Sequence, residues 1–442
     1  MATYYPALAH RVHSQREQQP AMYGGVDFDT QPYRTTTDPA DFSALPQWVA
    51  DRAQYLADEQ AVELIATTTL LGDVVADPYA ALMSQRSVTD LIELLQLACR
   101  KGIEAVDDAP PELVAFIAAM EVRPTWLDMD LVREGARHAR IPAALVAPFV
   151  TRGAFIATFV NTYAALPMAL TGALSGRRAA RRVNETTSFF AVTTLPGALE
   201  RYGPGFEAAA MVRLMHSMVR YNALKRSEKW DTDVYGIPVP QVDQMPAGMI
   251  NLYLLAVAAR RKGRTEFTAS ERAVVEFTRY RAFLLGLPEE LLPTTPTDII
   301  HLIHTRGALL REDFDDATCG AMVRSTMDAY LRPIDTRWER AADAVEKSYS
   351  KVAFTKTFCN GDRSLARDKG VTVGPADYLR IALTAPFIFG RLLIVRRLNR
   401  IPALRRSIDD YIVGLIKRRL ITYGKPEFTS DVSEYTPTGK AS

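Results

Sequence analysis

Along most of the chain, apolar residues recur at steps of three and four, the spacing that lines one face of a helix. Residues 87–102, SVTDLIELLQLACRKG, open on a Ser cap, carry leucines at that spacing and stop at Gly102. PPELVAFIAAM begins with prolines in its first turn, where a missing N–H costs little. TPTDIIHLIH (295–304) repeats the device with Thr295, Pro296 and Asp298. ASERAVVEFTRYRAFLLG and DDATCGAMVRSTMDAYLR also read as amphipathic helices, and sustained alternation of period two is absent. The pattern predicts an all-α protein, with one large helical domain over residues 41–423. Residues 1–40 are rich in Gln, Tyr, Thr and Pro without a helical period and read as an extended arm, while 424–442 read as a polar tail.

Two stretches depart from the amphipathic pattern. Residues 153–176, GAFIATFVNTYAALPMALTGALSG, hold no charge and are long enough to span a bilayer. Thr158, Asn161, Tyr163 and the mid-run Pro167 favour a helix buried on all sides within the protein instead. Residues 391–420 carry nine Lys or Arg against two Asp, which suits a peripheral contact with an anionic membrane surface. A solvated helical face or an oligomer contact is the other reading, and the oligomeric state is left open.

At 442 residues, 48% hydrophobic and 24% charged, the chain has material for a sizeable core. A net charge of +2 gives no global field for nucleic acid. The three cysteines are far apart, and without CxxC or CxxCH they argue against a zinc ribbon, a thioredoxin-type motif or covalently attached haem. The N-terminus shows no basic start followed by an apolar run, which predicts a cytoplasmic protein. GxxxxGK[ST], HExxH and GxSxG are all missing.

The candidate chemistry is concentrated between residues 135 and 220. From 135 to 184 there is no Asp or Glu, while arginines stand at 137, 140, 152, 177, 178, 181 and 182. Buried arginines need anionic partners, for which carboxylates, phosphates or haem propionates all serve. In RRVNETT (181–187) a helix would place Arg182 and Thr186 on one face with Glu185 beside them, a polar end for an apolar pocket. In RLMHSMVR (213–220), His216 shares a helical stripe with Ala209, Val212, Arg213, Val219, Arg220 and Ala223. Small neighbours leave room for a flat ligand against the imidazole; a packed core histidine is the alternative. Asp298-x-x-His301-x-x-His304 offers metal-binding side chains, but steps of three drift off a shared helical face.

Taken in order, Arg182-x-x-x-Thr186, His216 thirty residues later, Val219-Arg220, Trp230 and Gly236-Ile-Pro238 form a spaced set. It resembles the catalytic domain of the rubber oxygenases, the latex clearing proteins, whose wider relatives include the ER-bound oxygenase of mycophenolic acid biosynthesis. The resemblance implies a globin-like core with added helices and a non-covalently bound haem b whose iron takes His216 as proximal ligand. Arg182 and Thr186 would be the polar pair near the haem, and Arg220 a further cofactor-binding residue. The implied reaction is an O2-dependent oxygenation or cleavage of a hydrophobic, isoprenoid-like small molecule. Two departures stand out. Glu185 occupies the position of a lysine that caps the iron in the rubber-cleaving members, and their upstream glutamate base has no counterpart between 135 and 184. Glu185 is therefore the candidate acid/base. A haem-binding sensor or carrier without turnover, or a cofactor-free helical interaction protein, are the alternatives.

Overall fold

The structure, a computed structural model, describes residues 3–49, 51–170 and 177–424. It is all-α. Among the described residues there is no strand, only isolated bridges pairing Thr35 with Leu310 and Ser43 with Arg311. Where one domain is expected from the sequence, the chain divides into two compact units. Among the described residues, the first runs to Val132 and resumes over Leu199–Asp313; the second takes Arg133–Ala198 and the chain from Phe314 onward. The first boundary falls inside the helix Met129–Leu145, so no linker composition betrays it.

In the first unit the helix ends follow the local chemistry. Ser87 caps Val88–Lys101 by accepting from the Asp90 N–H, and Gly102 ends it at φ 95°. Thr268 and Glu271 form a reciprocal capping box on Ala269–Leu284. The first 40 residues correct the expectation of an extended arm: Pro6–Gln18 and Pro20–Tyr23 are helical. Leu8, Val12 and Gln15 face inward at helical spacing. The third is polar, which hides the period; its amide is satisfied by donating to the Leu70 carbonyl and accepting from the Gly72 N–H. The helix Pro204–Arg226, which bears His216, packs on Ala76–Ala81 and Val88–Lys101. Gln241–Arg261 packs on Ala269–Leu284 and Pro296–Leu309.

In the second unit the uncharged stretch is partly buried, with none of its described residues exposed, and is broken between Ala147–Ile156 and Thr162–Leu170; 171–176 lie outside the described residues. Ile156, Phe159, Ala165, Val183 and Phe354 form its core. Ala147–Ile156 lies along Arg337–Phe358 so closely that a Cβ on Gly153 would come within 2.7 Å of the Ser350 carbonyl oxygen. The arginines beside this stretch find carboxylates. Fully buried Arg152 donates to Asp343 at 2.6 Å and to the Ala329 carbonyl. Arg140 donates to Asp409 and the Thr194 carbonyl, and Arg137 pairs with Glu134. Among the described residues one helix, Pro375–Leu398, is long and apolar enough to cross a membrane.

Candidate functional site

His216 stands in the middle of its helix on a partly open stripe with Ala208, Val212 and Met215, at the spacing of one helical face. Its ring is oriented from the neighbouring helix. Nδ1 lies 3.1 Å from Gln244 Oε1, Gln244 Nε2 donates to Gln241 Oε1 at 2.7 Å, and Gln241 Nε2 donates to the Gly72 carbonyl at 3.1 Å. The direction of this relay follows from its far end. A carbonyl can only accept, so Gln241 must present its NH2 there and its oxygen to Gln244. Gln244 in turn presents its oxygen to the imidazole, so Nδ1 carries a proton and donates it to Gln244 Oε1. One turn beyond Gln244, buried Gly248 borders open space: among the described residues a Cβ there would meet no atom within 4 Å. An imidazole oriented through Nδ1, on a helix whose partner carries a buried glycine with open space above it, is compatible with a flat ligand held by the ring.

Two arginines flank His216, and both are committed to acidic partners. Arg213 pairs bidentately with Asp73, both contacts at 2.7 Å. Burial pushes the Asp73 carboxyl up, but the facing Arg213 guanidinium outweighs it and holds the group below its ordinary range. Arg220 is fully buried, donating to Asp77 at 2.5 Å and to the Val239 carbonyl at 2.7 Å. Tyr23 hydroxyl donates to the other Asp77 oxygen. Arg220, expected to reach the acidic edge of a cofactor, is thus balanced inside the protein and pins its helix to Ala76–Ala81.

The Trp230 and Gly236-Ile-Pro238 motif acquires a local reason. Trp230 Nε1 donates to the Gly236 carbonyl at 2.8 Å. Gly236 sits at φ 68°, where a Cβ would also press on the Pro32 ring at 3.0 Å. Val239 follows at φ 49°, a strained conformation for a β-branched residue, which aims its carbonyl at Arg220. The loop then enters Gln241–Arg261, so the motif delivers the relay glutamines. Asp243, buried in the first turn of that helix, pairs with Arg34 and Arg306 at 2.8 and 2.7 Å. Burial raises its carboxyl; the two guanidiniums more than offset this and hold it below the ordinary range.

Arg182, Glu185 and Thr186 stand on Arg177–Val192 of the second unit, while His216 and Arg220 belong to the first. The helix puts half-buried Arg182 and Thr186 one turn apart. Glu185 accepts from Arg181 at 3.1 Å and from Arg182 at 3.0 Å, so both its oxygens are engaged by guanidiniums.

The alternative metal cluster does not assemble. Asp298 accepts from Thr295 at the helix start, and His301 Nε2 is 2.8 Å from Asp58. His304 lies between two tyrosine hydroxyls, Tyr55 at 2.9 Å and Tyr253 at 3.0 Å. Burial, with His301 adding to it, pushes the His304 imidazole down to about 4. Among the described residues no three His, Cys, Asp or Glu side chains converge to hold a metal ion.

Gln241, Gln244, Asp73 and Asp77, which surround the candidate site, are the residues that sequence reasoning missed. The one available signal was chemical: Arg213 and Arg220, two turns apart on a helix, demanded two acids, and Asp73-x-x-x-Asp77 supplies a pair one turn apart.

Residues 147–346 match the family model described as ER-bound oxygenase mpaB/B'/rubber oxygenase, catalytic domain. Among solved structures, that of latex clearing protein in the closed state is similar in fold. It is 18% identical, the match covers 80% of this chain and 91% of that one, and the TM-score is 0.55. No curated protein matches the sequence.

Proposed function

We propose that this chain, which belongs through residues 147–346 to the mpaB/rubber oxygenase catalytic-domain family, is an oxygenase that binds haem b through His216 and acts on a hydrophobic small molecule. The observation that carries the reading is the directed relay from Gly72 through Gln241 and Gln244, which orients the His216 ring through Nδ1. A bound haem would supply dioxygen activation. Gln244 raises the basicity of the ring by accepting from Nδ1 and keeps it from rotating. The small and apolar side chains around His216 favour a flat apolar partner. Arg182 and Thr186 provide a cation and a hydroxyl on one helical face, suited to orienting a polar oxygen. Glu185 holds Arg182 in position, and for it to move a proton one of its two guanidinium contacts would have to open.

An absorption spectrum of the protein expressed with ample haem, beside His216→Ala, tests the cofactor and its ligand together. A Soret band in the wild type that is lost in the variant is expected. A colourless wild type, or an unchanged band in the variant, overturns the assignment. Glu185→Gln is expected to slow oxygen uptake with an isoprenoid alkene by a factor on the order of a hundred if the carboxylate carries the proton; full activity removes that role and leaves the haem site untouched.

A further inference from the structure

Among the described residues, Pro375–Leu398 is docked on one side and exposed on the other. Its inner side is held by polar contacts with Arg337–Phe358: Asp377 accepts from Ser348 Oγ at 2.7 Å and Lys351 approaches the same carboxylate. Tyr349 hydroxyl contacts the Ile381 carbonyl and Thr384. Further along, Leu392 and Val395 pack on Ile412 and Ile416. The outer side carries Leu379, Leu383, Phe387 and Ile394, at steps of four, four and seven that keep them on one stripe. Phe387 is 78% exposed and Leu383 65%. A contiguous apolar stripe of this kind is unusual on a soluble surface and marks an interaction site.

Charge identifies the partner. From Tyr378 to Ile408 there is no Asp or Glu, while seven arginines occur, at 380, 391, 396, 397, 400, 405 and 406, all exposed. Six of them cluster at the end of the apolar stripe and in the turn and helix that follow. Exposed apolar side chains beside a block rich in arginines, with Asp409 and Asp410 as the nearest acids along the chain, match a bilayer surface, acyl chains below and anionic phosphates above. The polar contacts on the inner side would be stranded in hydrocarbon if the helix crossed the bilayer, so one-sided insertion in the plane of the surface is the compatible geometry.

We infer that the outer face of Pro375–Leu398 and the arginines after it seat the protein on an anionic lipid surface. The test is co-sedimentation of the full chain with vesicles of phosphatidylcholine alone and of phosphatidylcholine mixed equally with phosphatidylglycerol. Strong binding to the mixed vesicles, weakened by salt, is expected, with little binding to phosphatidylcholine alone. Leu383→Gln combined with Phe387→Gln is expected to weaken binding at least about tenfold, and Arg396→Glu with Arg397→Glu to abolish the preference for anionic lipid. Circular dichroism checks that both variants are folded; these side chains are exposed, so an unchanged spectrum is expected. Equal binding to both vesicles, or binding that survives the Leu383/Phe387 variant, overturns the inference. So does light scattering showing, without lipid, a dimer that the same variant dissolves, because the face would then belong to a second copy.

Discussion

His304 is hydrogen-bonded through both ring nitrogens to tyrosine hydroxyls, an arrangement that a neutral imidazole satisfies with one donor and one acceptor. Its folded-state pKa, about 4, lies below the ordinary 6.5, so on acidification the unfolded chain takes up its proton first. The stability it contributes is therefore complete above about pH 6.5 and is lost as pH falls toward 4, on the order of 2 kcal/mol after solvent screening. Urea midpoints across this range should fall for the wild type more than for His304→Gln. A wild-type-minus-variant difference that does not change with pH would sink the idea. The relay makes a second prediction at this scale. On the haem assignment proposed above, Gln244→Leu should weaken haem binding roughly ten- to a hundredfold, while Gln244→Glu, which keeps an acceptor, stays nearer the wild type. Haem titration followed at the Soret band distinguishes them. The imidazole itself was legible in RLMHSMVR, but its orientation was not. The amide that sets it is 28 residues away, on a different helix, and glutamine carries no spacing signature of its own.

The His216 helix is fixed in register by Arg213 and Arg220, one turn on either side of the imidazole. Such pairs contribute position more than stability, because desolvation offsets most of their attraction. Removing one partner strands the other: Asp77→Asn or Arg220→Ala should cost about 3–5 kcal/mol, whereas Arg220→Met with Asp77→Leu should recover part of it. Chemical denaturation of the three variants checks this, and a double variant worse than either single one would count against it. At this scale the helices were readable because their ends are chemical: Ser87, Thr268 and Thr295 each accept from a backbone N–H of the first turn. Pro6–Gln18 escaped because its inward Gln15 replaces the apolar residue that a pattern search needs. Which acid would meet which arginine was beyond reach, since Asp73 and Asp77 lie some 140 residues from their partners and no periodicity spans that distance.

On the scale of the whole molecule, the chain enters the second unit at Arg133, leaves it after Ala198 and returns at Phe314. Neither unit is a continuous stretch of sequence, and for that reason composition along the chain suggested a single domain. A chain ending at Asp313 would hold Ala147–Ile156 without Arg337–Phe358, and Arg152 without Asp343. It should aggregate, seen as loss of soluble yield and a rise in light scattering; a soluble, monodisperse 1–313 fragment would contradict the division. The family match has a related consequence. Residues 147–346 include His216, Arg213 and Arg220, but Asp73 and Asp77, the partners of those arginines, precede the span. The stretch shared with the relatives is therefore not a transplantable module. Moved alone into another gene, it would carry two buried cations with no counter-charge. Recombination could preserve the fold only by exchanging nearly the entire chain.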